Sequence, residues 1–393
     1  MITGDQLLVK QLNKSIVLNA IRKNGKVSRA GISVKTGLNK STVSSLVDEL
    51  MTDGFVIEEG PGASRGGRKP ILLSINNNVG HVIGVDLGVN YIFCIVTDPS
   101  ADILWEKRIN TEKVDTKEKI IDKLVGLLEE AVSFSKNTLK GILGIGIGVP
   151  GIVDYKNGTV LMAPNLKWYN LDLKSIIEKR FGIKTYIDNE ANAGAIGEKW
   201  FGAGEKETNL VYVSAGIGVG TGIIINNELY RGSNGLAGEM GHMTINFSDH
   251  DCSCGNIGCW ENYASEKSLF NYYLNEFSHN SSDVLDLSVF DIIYNAKSND
   301  QASVKALKEV GKNLGIGIVN IINTFDTDKV IVGNTISLGG EIVLEEIRRI
   351  VKKRCFITRY SNIKIELSKL GMYSCAIGAV SLVISELFAA PQF

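Results

Sequence analysis

With 393 residues, 44% of them hydrophobic, 22% charged and only 6 of them proline, the chain is neither collagen-like nor intrinsically disordered, and its length allows two or three packed domains. The formal net charge is −1, but residues 1–80 carry 11 Lys and Arg against 6 Asp and Glu, whereas the remainder carries 31 against 37. A basic head on an acidic body indicates that the head alone meets a polyanion.

The first predicted elements are three helices of an N-terminal domain that covers residues 1–78. The stretch KSIVLNAIRKN, residues 14–24, places apolar side chains on one helical face. Ser28 can cap a short second helix, and Asn39 can cap a third that runs to Gly54. The compact turn between the second and third helices is typical of a helix-turn-helix.

Two short strand patterns follow, FVIEE at residues 55–59 and PILLSI at 70–75, and they complete a predicted winged helix-turn-helix. Small helical bundles also occur as plain interaction modules, so the pattern alone leaves DNA binding open. The residue types favour DNA, because short polar side chains suit base edges and a basic loop suits phosphates. The predicted DNA contacts are Asn39, Lys40, Ser41, Thr42, Ser44 and Ser45 on the third helix and Arg65, Arg68 and Lys69 in the wing loop.

From about residue 82 the sequence alternates between β-branched runs and helical patterns, which predicts α/β layers with mixed sheets. Two Gly-rich turns, within residues 214–225 and 329–340, follow strand-like runs and could face an anion or a polar ligand. Glycines in such places are more often simple turns. The apolar stretch 374–388 predicts a last helix that packs back on the body.

No targeting or membrane segment is predicted. The opening residues lack an apolar core of signal-peptide length, and no run of 18 apolar residues is free of glycine breaks or charge. We therefore expect a cytoplasmic protein with no membrane partner. Cys94, Cys355 and Cys375 stand singly in apolar surroundings, where a thiol usually acts as a small core residue.

The other three cysteines lie close to a histidine. His242, Cys252, Cys254 and Cys259 supply one imidazole and three thiolates within 18 residues, a complete tetrahedral set for Zn²⁺. Because four protein ligands fill the ion, the predicted zinc site is structural rather than hydrolytic. A cluster of free or disulfide-bonded cysteines is the alternative, and His250 is a spare ligand.

Carboxylate side chains lie on both sides of the predicted zinc ligands, and another lies in a second segment, residues 186–194. Glu239 precedes His242 by three residues, and Glu261 follows the last cysteine by two. The segment YIDNEANAG also ends a predicted strand with Asn189 and Glu190. These side chains could simply cap helices or face solvent. If they meet in one cleft, they suit a polyhydroxyl ligand, because each sugar hydroxyl both donates and accepts.

At this point the sequence resembles the ROK family of repressors, open reading frames and sugar kinases, and in particular its xylose-repressor branch. EMGH at residues 239–242 and the following CSCGNIGCWE resemble the sugar-and-zinc signature of that family. GVPGIVD at 148–154, APNLKW at 163–168 and DNEANAGAIGE at 188–198 resemble further family blocks. The resemblance covers nearly the whole chain.

The resemblance implies an α/β body of two lobes with an actin-like sugar-kinase fold, covering residues 79–393. Lobe one would comprise about 79–195 plus the C-terminal helix at 374–393, and lobe two about 196–373, including the zinc loop. By the same resemblance, the sugar contacts are Gly151, Asn165, Asn189, Glu190, Glu239, His242 and Glu261. The zinc ligands carry over as His242, Cys252, Cys254 and Cys259.

The sequence departs from the kinases of the family at the turn that would hold ATP phosphates. The kinases have Asp-x-Gly-Gly-Thr there, whereas this chain has DLGVNY at residues 86–91, so Val89 and Asn90 replace the second glycine and the threonine. Glu190 stands where the kinases have their catalytic Asp. VGNTIS, from residue 332, lacks a glycine pair of their nucleotide region. These changes predict that sugar binding is kept, that phosphoryl transfer is lost and that ATP is not a cofactor.

We therefore expect a dimeric repressor, or a tetramer of paired dimers, that binds a palindromic operator and is released by a sugar, D-xylose by resemblance. An active sugar kinase with an appended DNA-binding head is the alternative, because Glu190 retains a carboxylate. A sensor of a phosphorylated sugar or of a protein ligand differs only in its effector. The sequence does not separate these effectors.

Overall fold

The computed structural model describes residues 6–63, 69–112, 114–135, 138–248, 250–276, 287–357 and 362–387. Two of the predicted wing contacts, Arg65 and Arg68, lie outside the described residues, as do the last residues of the predicted C-terminal helix. No helix in the described part of the chain is long and apolar enough to cross a membrane.

The N-terminal domain is a winged helix-turn-helix. Its elements are α1 (Gln6–Asn24), β1 (Val27–Ser28), α2 (Arg29–Thr36), α3 (Lys40–Thr52), β2 (Val56–Pro61) and β3 (Ile71–Ile75), with the strands in the order β1-β3-β2. The predicted caps are confirmed, because the side chain of Ser28 accepts from the amide of Gly31 and that of Asn39 from the amide of Thr42. Gly37 ends α2 at a φ of +73°. Strand β1 was not predicted from the sequence.

Lobe one is built on a mixed sheet and a small antiparallel one. Its elements are β4 (His81–Leu87), β5 (Tyr91–Thr97), β6 (Ile103–Asn110), α4 (Lys117–Phe134), β7 (Ile142–Val149), β8 (Ile152–Asp154), β9 (Thr159–Ala163), β10 (Trp168–Leu171), α5 (Leu173–Phe181) and β11 (Thr185–Asn189). The large sheet has the order β11-β7-β4-β5-β6 and the small one β10-β9-β8. Strands β4, β7 and β11 are parallel, so their carboxyl ends share one edge.

Lobe two repeats this plan. Its elements are α6 (Glu190–Phe201), β12 (Leu210–Ala215), β13 (Val219–Ile225), β14 (Glu228–Leu229), α7 (Glu261–Ala264), α8 (Glu266–Asn275), α9 (Val289–Lys297), α10 (Gln301–Phe325), β15 (Lys329–Gly333), α11 (Glu341–Arg354) and β16 (Lys364–Leu367), followed by α12 (Ser374–Leu387). Its sheet has the order β14-β13-β12-β15-β16. The predicted α/β fold with a two-lobed sugar-kinase body is confirmed.

Helices α6 and α12 form the centre of the body. Helix α12 packs on β4, β7 and α6, and α6 also packs on β12 and β13 of the other sheet. The two helices touch at backbone distance, because a Cβ atom at Gly378 would overlap the carbonyl group of Ala193. The lobe boundaries stay predictions; the one expected at residue 195 falls within α6, which contacts both sheets.

Candidate functional site

A cavity of about 170 Å³ lies between the two lobes. Its wall includes all seven residues predicted as sugar contacts: Gly151, Asn165, Asn189, Glu190, Glu239, His242 and Glu261. The cavity opens where β7 and β11 end, the edge at which open α/β sheets commonly bind ligands. Ser253, between two of the predicted zinc ligands, also lines it but was not predicted, because a serine in a loop carries no signal of its own.

The floor of the cavity is fixed by the start of α6. Asn189 caps this helix, since its side-chain oxygen accepts from the amides of Ala191 at 2.8 Å and Asn192 at 3.3 Å. Its side-chain nitrogen donates to the carbonyl of Gly151 at 2.9 Å. Gly151 has a φ of +95°, and a Cβ atom there would overlap the carbonyl of Met162. The loop after β7 and the start of α6 are therefore held together, with one N–H of Asn189 left for a ligand.

Several carboxyl groups converge on this floor. Burial, together with the nearby Asp86, Glu239 and Glu261, raises the pKa of Glu190 to about 8. Burial also raises the pKa of Glu239 above its ordinary value. At neutral pH Glu190 is therefore largely protonated and can both donate and accept a hydrogen bond. This combination suits a hydroxyl group, which also does both.

An ion pair that the sequence did not reveal joins the two lobes beside the start of α6. The guanidinium of Arg231, after β14, donates to both carboxylate oxygens of Asp188, at 3.1 and 2.6 Å. The same guanidinium lies 3.7 Å from the centre of the Tyr155 ring. Asp188 and Tyr155 belong to lobe one, so this pair ties the two lobes beside Asn189. No local motif marks Arg231, because its partner is 43 residues away.

The four predicted zinc ligands lie together. One ligand atom from each of His242, Cys252, Cys254 and Cys259 lies within 4.8 Å of all the others. The distance from Cys252 Sγ to His242 Nδ1 is 3.7 Å and that between the sulfurs of Cys254 and Cys259 is 3.6 Å. A tetrahedral zinc ion with Zn–S bonds of ~2.3 Å needs ligand separations of about 3.8 Å, so the donor set fits. The spare candidate, His250, instead stacks on Tyr263.

His242 joins the metal cluster to the cavity. Its Nδ1 faces the cluster and lies 3.6 Å from Glu261 Oε1, while its Nε2 lies 3.8 Å from Glu239 Oε2. The two ring nitrogens thus point to different sites, as expected for a metal-bound imidazole whose other nitrogen binds a second group. The metal loop and two carboxylates of the cavity form one connected structure.

The turn at residues 86–91 also lines the cavity, and protein side chains pack against it. Tyr91 donates a hydrogen bond of 2.7 Å to the buried carboxyl of Asp86, and burial raises the pKa of that carboxyl. The Tyr91 ring packs so closely on Gly88 that a Cβ atom at Gly88 would overlap it. Arg108 lies over the ring at 3.8 Å. Neither Tyr91 nor Arg108 was singled out from the sequence, since β6 brings the arginine from 17 residues away.

The structure describes seven of the nine predicted DNA-contact residues. Asn39, Lys40, Ser41, Ser45 and Lys69 are exposed, while Thr42 and Ser44 are half-buried. The oxygen of Asn39 is already engaged in the cap. Two lysines of α1, Lys10 and Lys14, pair with Glu49 and Asp53 of α3 at 2.6 Å, so their charge is partly neutralised within the head.

Comparison with known proteins supports the assignment of both the head and the body. The sequence pattern of the ROK family matches residues 82–386, and that of the MarR family matches residues 11–66. The xylose repressor of Caldicellulosiruptor bescii is 46% identical to this chain, and the match covers 99% of this chain and 100% of that protein.

Two solved structures also match this chain. A ROK family transcriptional regulator, a homologue of the E. coli MLC protein, has the same fold with a TM-score of 0.83 and 24% identity over 97% of each chain. A ROK family glucokinase from Streptomyces griseus, solved with glucose and AMPPNP, has a TM-score of 0.71 and is 33% identical, covering 77% of this chain and 99% of the glucokinase. The chain therefore belongs to the ROK family and carries a helix-turn-helix head on a body related to sugar kinases.

Proposed function

We propose that this protein represses carbohydrate genes by binding a palindromic operator and that D-xylose in the cleft releases it. The observation that carries this proposal is the combination, on one chain, of an exposed recognition helix and a cavity lined by all seven residues predicted to contact sugar. The choice of xylose follows from the full-length similarity to a xylose repressor. Because its partner is DNA, we expect the protein to act in the cytoplasm.

The cavity offers the groups that a small polyol needs. Glu239 and Glu261 supply acceptors, the free N–H of Asn189 supplies a donor, and protonated Glu190 supplies both. Buried polar groups of this kind discriminate strongly, because a ligand that lacks the matching hydroxyl leaves them without a partner. We propose that Gly151 and Asn165 shape the wall beside these groups and that His242 Nε2 faces the sugar.

We propose that His242, Cys252, Cys254 and Cys259 hold a structural zinc ion. The ion would fix the fold of the loop and would leave no open position for a reacting group, since all four ligands come from the protein. The loop in turn positions Ser253, Glu261 and the His242 ring against the cavity. Zinc thus stiffens the sugar site without taking part in chemistry.

An active sugar kinase is the second candidate. The 33% identity to a glucokinase and the carboxyl of Glu190 favour it. The packing of Tyr91 on Gly88, with Arg108 over its ring, argues against it, because this is the turn where backbone amides would approach phosphates. A coupled assay of ATP consumption over a panel of sugars separates the two functions. We expect no turnover above background; turnover at ordinary kinase rates would establish the kinase.

We propose that the protein works as a homodimer, alone or paired into a tetramer, because a palindromic operator is matched by two-fold symmetry. Sugar would release the DNA by favouring a lobe arrangement in which the two heads no longer match half-sites a whole number of helical turns apart. Couplings of this kind are typically about 1–3 kcal/mol.

The experiment uses a duplex that the full-length protein selects from a pool of random sequences. Gel shifts with this duplex compare xylose, glucose, N-acetylglucosamine and xylose phosphate at equal concentrations. We expect xylose to lower the bound fraction and the other sugars to leave it unchanged. Release by the phosphate alone would assign a phosphorylated effector instead, and no release by any sugar would contradict the proposal.

A further inference from the structure

The helix that begins in the sugar cavity ends against the DNA-binding head. Helix α6 starts at Glu190 on the cavity floor and ends at Phe201. With 12 residues it spans about 18 Å at a rise of ~1.5 Å per residue. At its far end, Arg22 of α1 lies over the Trp200 ring with its Cζ 3.9 Å from the ring centre, and 6.0 Å from the centre of Phe201. One helix therefore touches both the effector site and the head.

Arg22 is an unusual residue for a surface helix. Burial lowers the pKa of its guanidinium to about 10, and its Nε has no hydrogen-bond partner among the described residues. Because Arg22 is half-buried and its Nε has no hydrogen bond to the described residues, its charge depends in part on other stabilising groups. One such group is the face of Trp200, the aromatic ring best suited to a cation. The contact is thus sensitive to small displacements of Trp200.

Helix α6 is packed as a rigid body. Residues Ala191–Glu198 are buried along its length, and a Cβ atom at Gly197 would lie only 2.7 Å from the carbonyl of Ser374 in α12. A shift imposed at one end cannot be absorbed by loose packing in the middle, since interiors of this density transmit strain.

The carboxylate of Glu198 anchors the far half of α6 to the cavity wall. One oxygen accepts from the hydroxyls of Ser368 and Ser374 and from the amide of Leu370 at 3.2 Å. The other accepts from the amide of Ala203 at 2.7 Å. Gly371, Met372 and Ser374, within or next to this segment, line the cavity. Both ends of α6 are therefore tied to groups that a ligand can displace.

The head is built so that a change at Arg22 reaches the recognition helix. Arg22 belongs to the last turn of α1, and α1 packs against α3 with ion pairs from Lys10 to Glu49 and from Lys14 to Asp53. Helices α1 and α3 share the buried core of the head, including Val17, Ile21 and Val47. A tilt of α1 on Trp200 therefore tilts α3.

We propose that α6 transmits occupancy of the cleft to the head and that Arg22 and Trp200 are the positioning residues at the joint. This inference rests on the proposed function, in that sugar must act on DNA binding. Ligand contacts at Asn189 and Glu190 displace the start of α6, and the rigid helix carries the displacement to Trp200. The position of α1 on Trp200 then changes, and the spacing between the two heads of a dimer changes with it.

The chain offers a matched control for a contact between head and body. Lys140, just before β7, lies over the Phe55 ring of the head with its Nζ 5.0 Å from the ring centre. This is also a contact of a cation with an aromatic ring, but neither residue belongs to α6. Lys140→Met removes a link between head and body while leaving the route through α6 in place.

The experiment measures the dissociation constant of the selected duplex with and without saturating xylose, and the dissociation constant of xylose without DNA. It compares wild type with Arg22→Met, Trp200→Leu and Lys140→Met. We expect wild type and Lys140→Met to show the same xylose-dependent loss of DNA affinity. The ratio to compare is the dissociation constant for DNA with xylose divided by that without xylose. In Arg22→Met and Trp200→Leu this ratio should fall at least fivefold, or to 1 if the wild-type ratio is below five. The affinity for xylose should change less than twofold.

The effects of two substitutions that remove the same contact should not add. The double variant Arg22→Met/Trp200→Leu is expected to match the more affected single variant, as a double-mutant cycle for residues in contact requires. If Trp200→Leu melts far below wild type, Trp200→Phe keeps a ring and is expected to halve the ratio at least. A merely structural role would lower thermal stability and both affinities without changing the ratio.

The outcomes are distinct. A wild-type ratio in Arg22→Met and Trp200→Leu would overturn the role of α6, as would an equal loss in Lys140→Met. A wild-type protein that binds xylose but shows no change in DNA affinity would instead overturn the proposed function. In that case xylose has no effect on DNA binding that α6 could transmit.

Discussion

Two sides of one cavity carry different side chains on a fold shared with sugar kinases. On the metal side, Glu239, His242 and Glu261 line an open cavity beside the cysteine cluster. At another part of the same cavity wall, Tyr91 hydrogen-bonds Asp86 and packs on Gly88 in the turn that would hold phosphates. The difference supports the proposal that sugar recognition and phosphoryl transfer depend on separate walls of one cleft, so that the first can be kept without the second.

The largest expected effect comes from removing the support of the metal side. Cys259→Ser removes one of four ligands, so zinc content should fall well below one ion per chain and the free energy of unfolding by about 4 kcal/mol. Sugar binding should be lost with it, because Glu261 and His242 depend on the loop. The measurements are elemental analysis, thermal unfolding and xylose titration.

Cys355→Ser is the matched control, since Cys355 is buried in the core of lobe two and its thiol contacts Asn323 rather than the cluster. It should keep full metal content. A Cys259→Ser protein that stays metal-replete and equally stable would remove the zinc assignment.

Next in size is the loss of a carboxylate on the cavity wall. Glu239→Gln keeps the shape but removes the charge, so we expect xylose affinity to fall by about 2–3 kcal/mol, or roughly 30- to 150-fold. Operator affinity without sugar should stay within twofold of wild type. Titration calorimetry and duplex anisotropy measure the two quantities. Glu228→Gln, at an exposed position of β14, is the control and should change neither; loss of both activities in Glu239→Gln would point to misfolding.

A separate effect concerns the pH dependence of stability. The pKa of Glu190 is about 8 in the folded protein against an ordinary 4.5, so the folded state binds this proton more tightly than the unfolded chain does. Its contribution to stability is therefore fully present below about pH 4.5 and is lost as the pH rises through about 8. We expect the wild type to lose about 4 kcal/mol from this group between pH 5 and 9.

Glu190→Gln has no such proton, so its stability relative to wild type should rise across the same range. Chemical unfolding at each pH, on metal-loaded protein, gives the difference between the two. A difference that stays constant from pH 5 to 9 would show that Glu190 is ionised throughout and would remove the buried neutral carboxyl from the account.

The smallest effect is expected on the phosphate side. Tyr91→Phe removes the hydrogen bond to buried Asp86 and should lower stability by about 1–2 kcal/mol, leaving xylose affinity within twofold of wild type. Thermal unfolding and calorimetry measure these. A large loss of xylose affinity would break the separation between the two walls, because it would show that the Asp86–Tyr91 pair supports sugar recognition.

The sequence predicted local structure and local clusters well. The caps at Ser28 and Asn39 and the cluster of four candidate metal ligands were predicted because their residues are close in the chain and their chemistry is specific. The prediction of the winged head was nearly complete. Strand β1 was missed, because two residues carry no pattern and their pairing with β3 is decided by tertiary contact.

Contacts between distant segments could not be read from any local pattern. Arg231 binds Asp188 across 43 residues, and Arg22 meets Trp200 only because α6 crosses the body. The raised pKa of Glu190 likewise depends on Asp86, Glu239 and Glu261, which three separate segments bring to one cavity. The sequence identified Glu190, Glu239 and Glu261, but not Arg231, Arg22 or Trp200, and none of the interactions among them.

The most direct test of the account is a xylose titration of the full-length, zinc-loaded protein bound to a fluorescent selected duplex, followed by anisotropy in buffer without nucleotide. Sugar recognition that acts on DNA without phosphoryl transfer predicts a saturable fall in anisotropy as the duplex is released, with no requirement for ATP. An anisotropy that stays constant at saturating xylose, or that falls only after ATP is added, would contradict it.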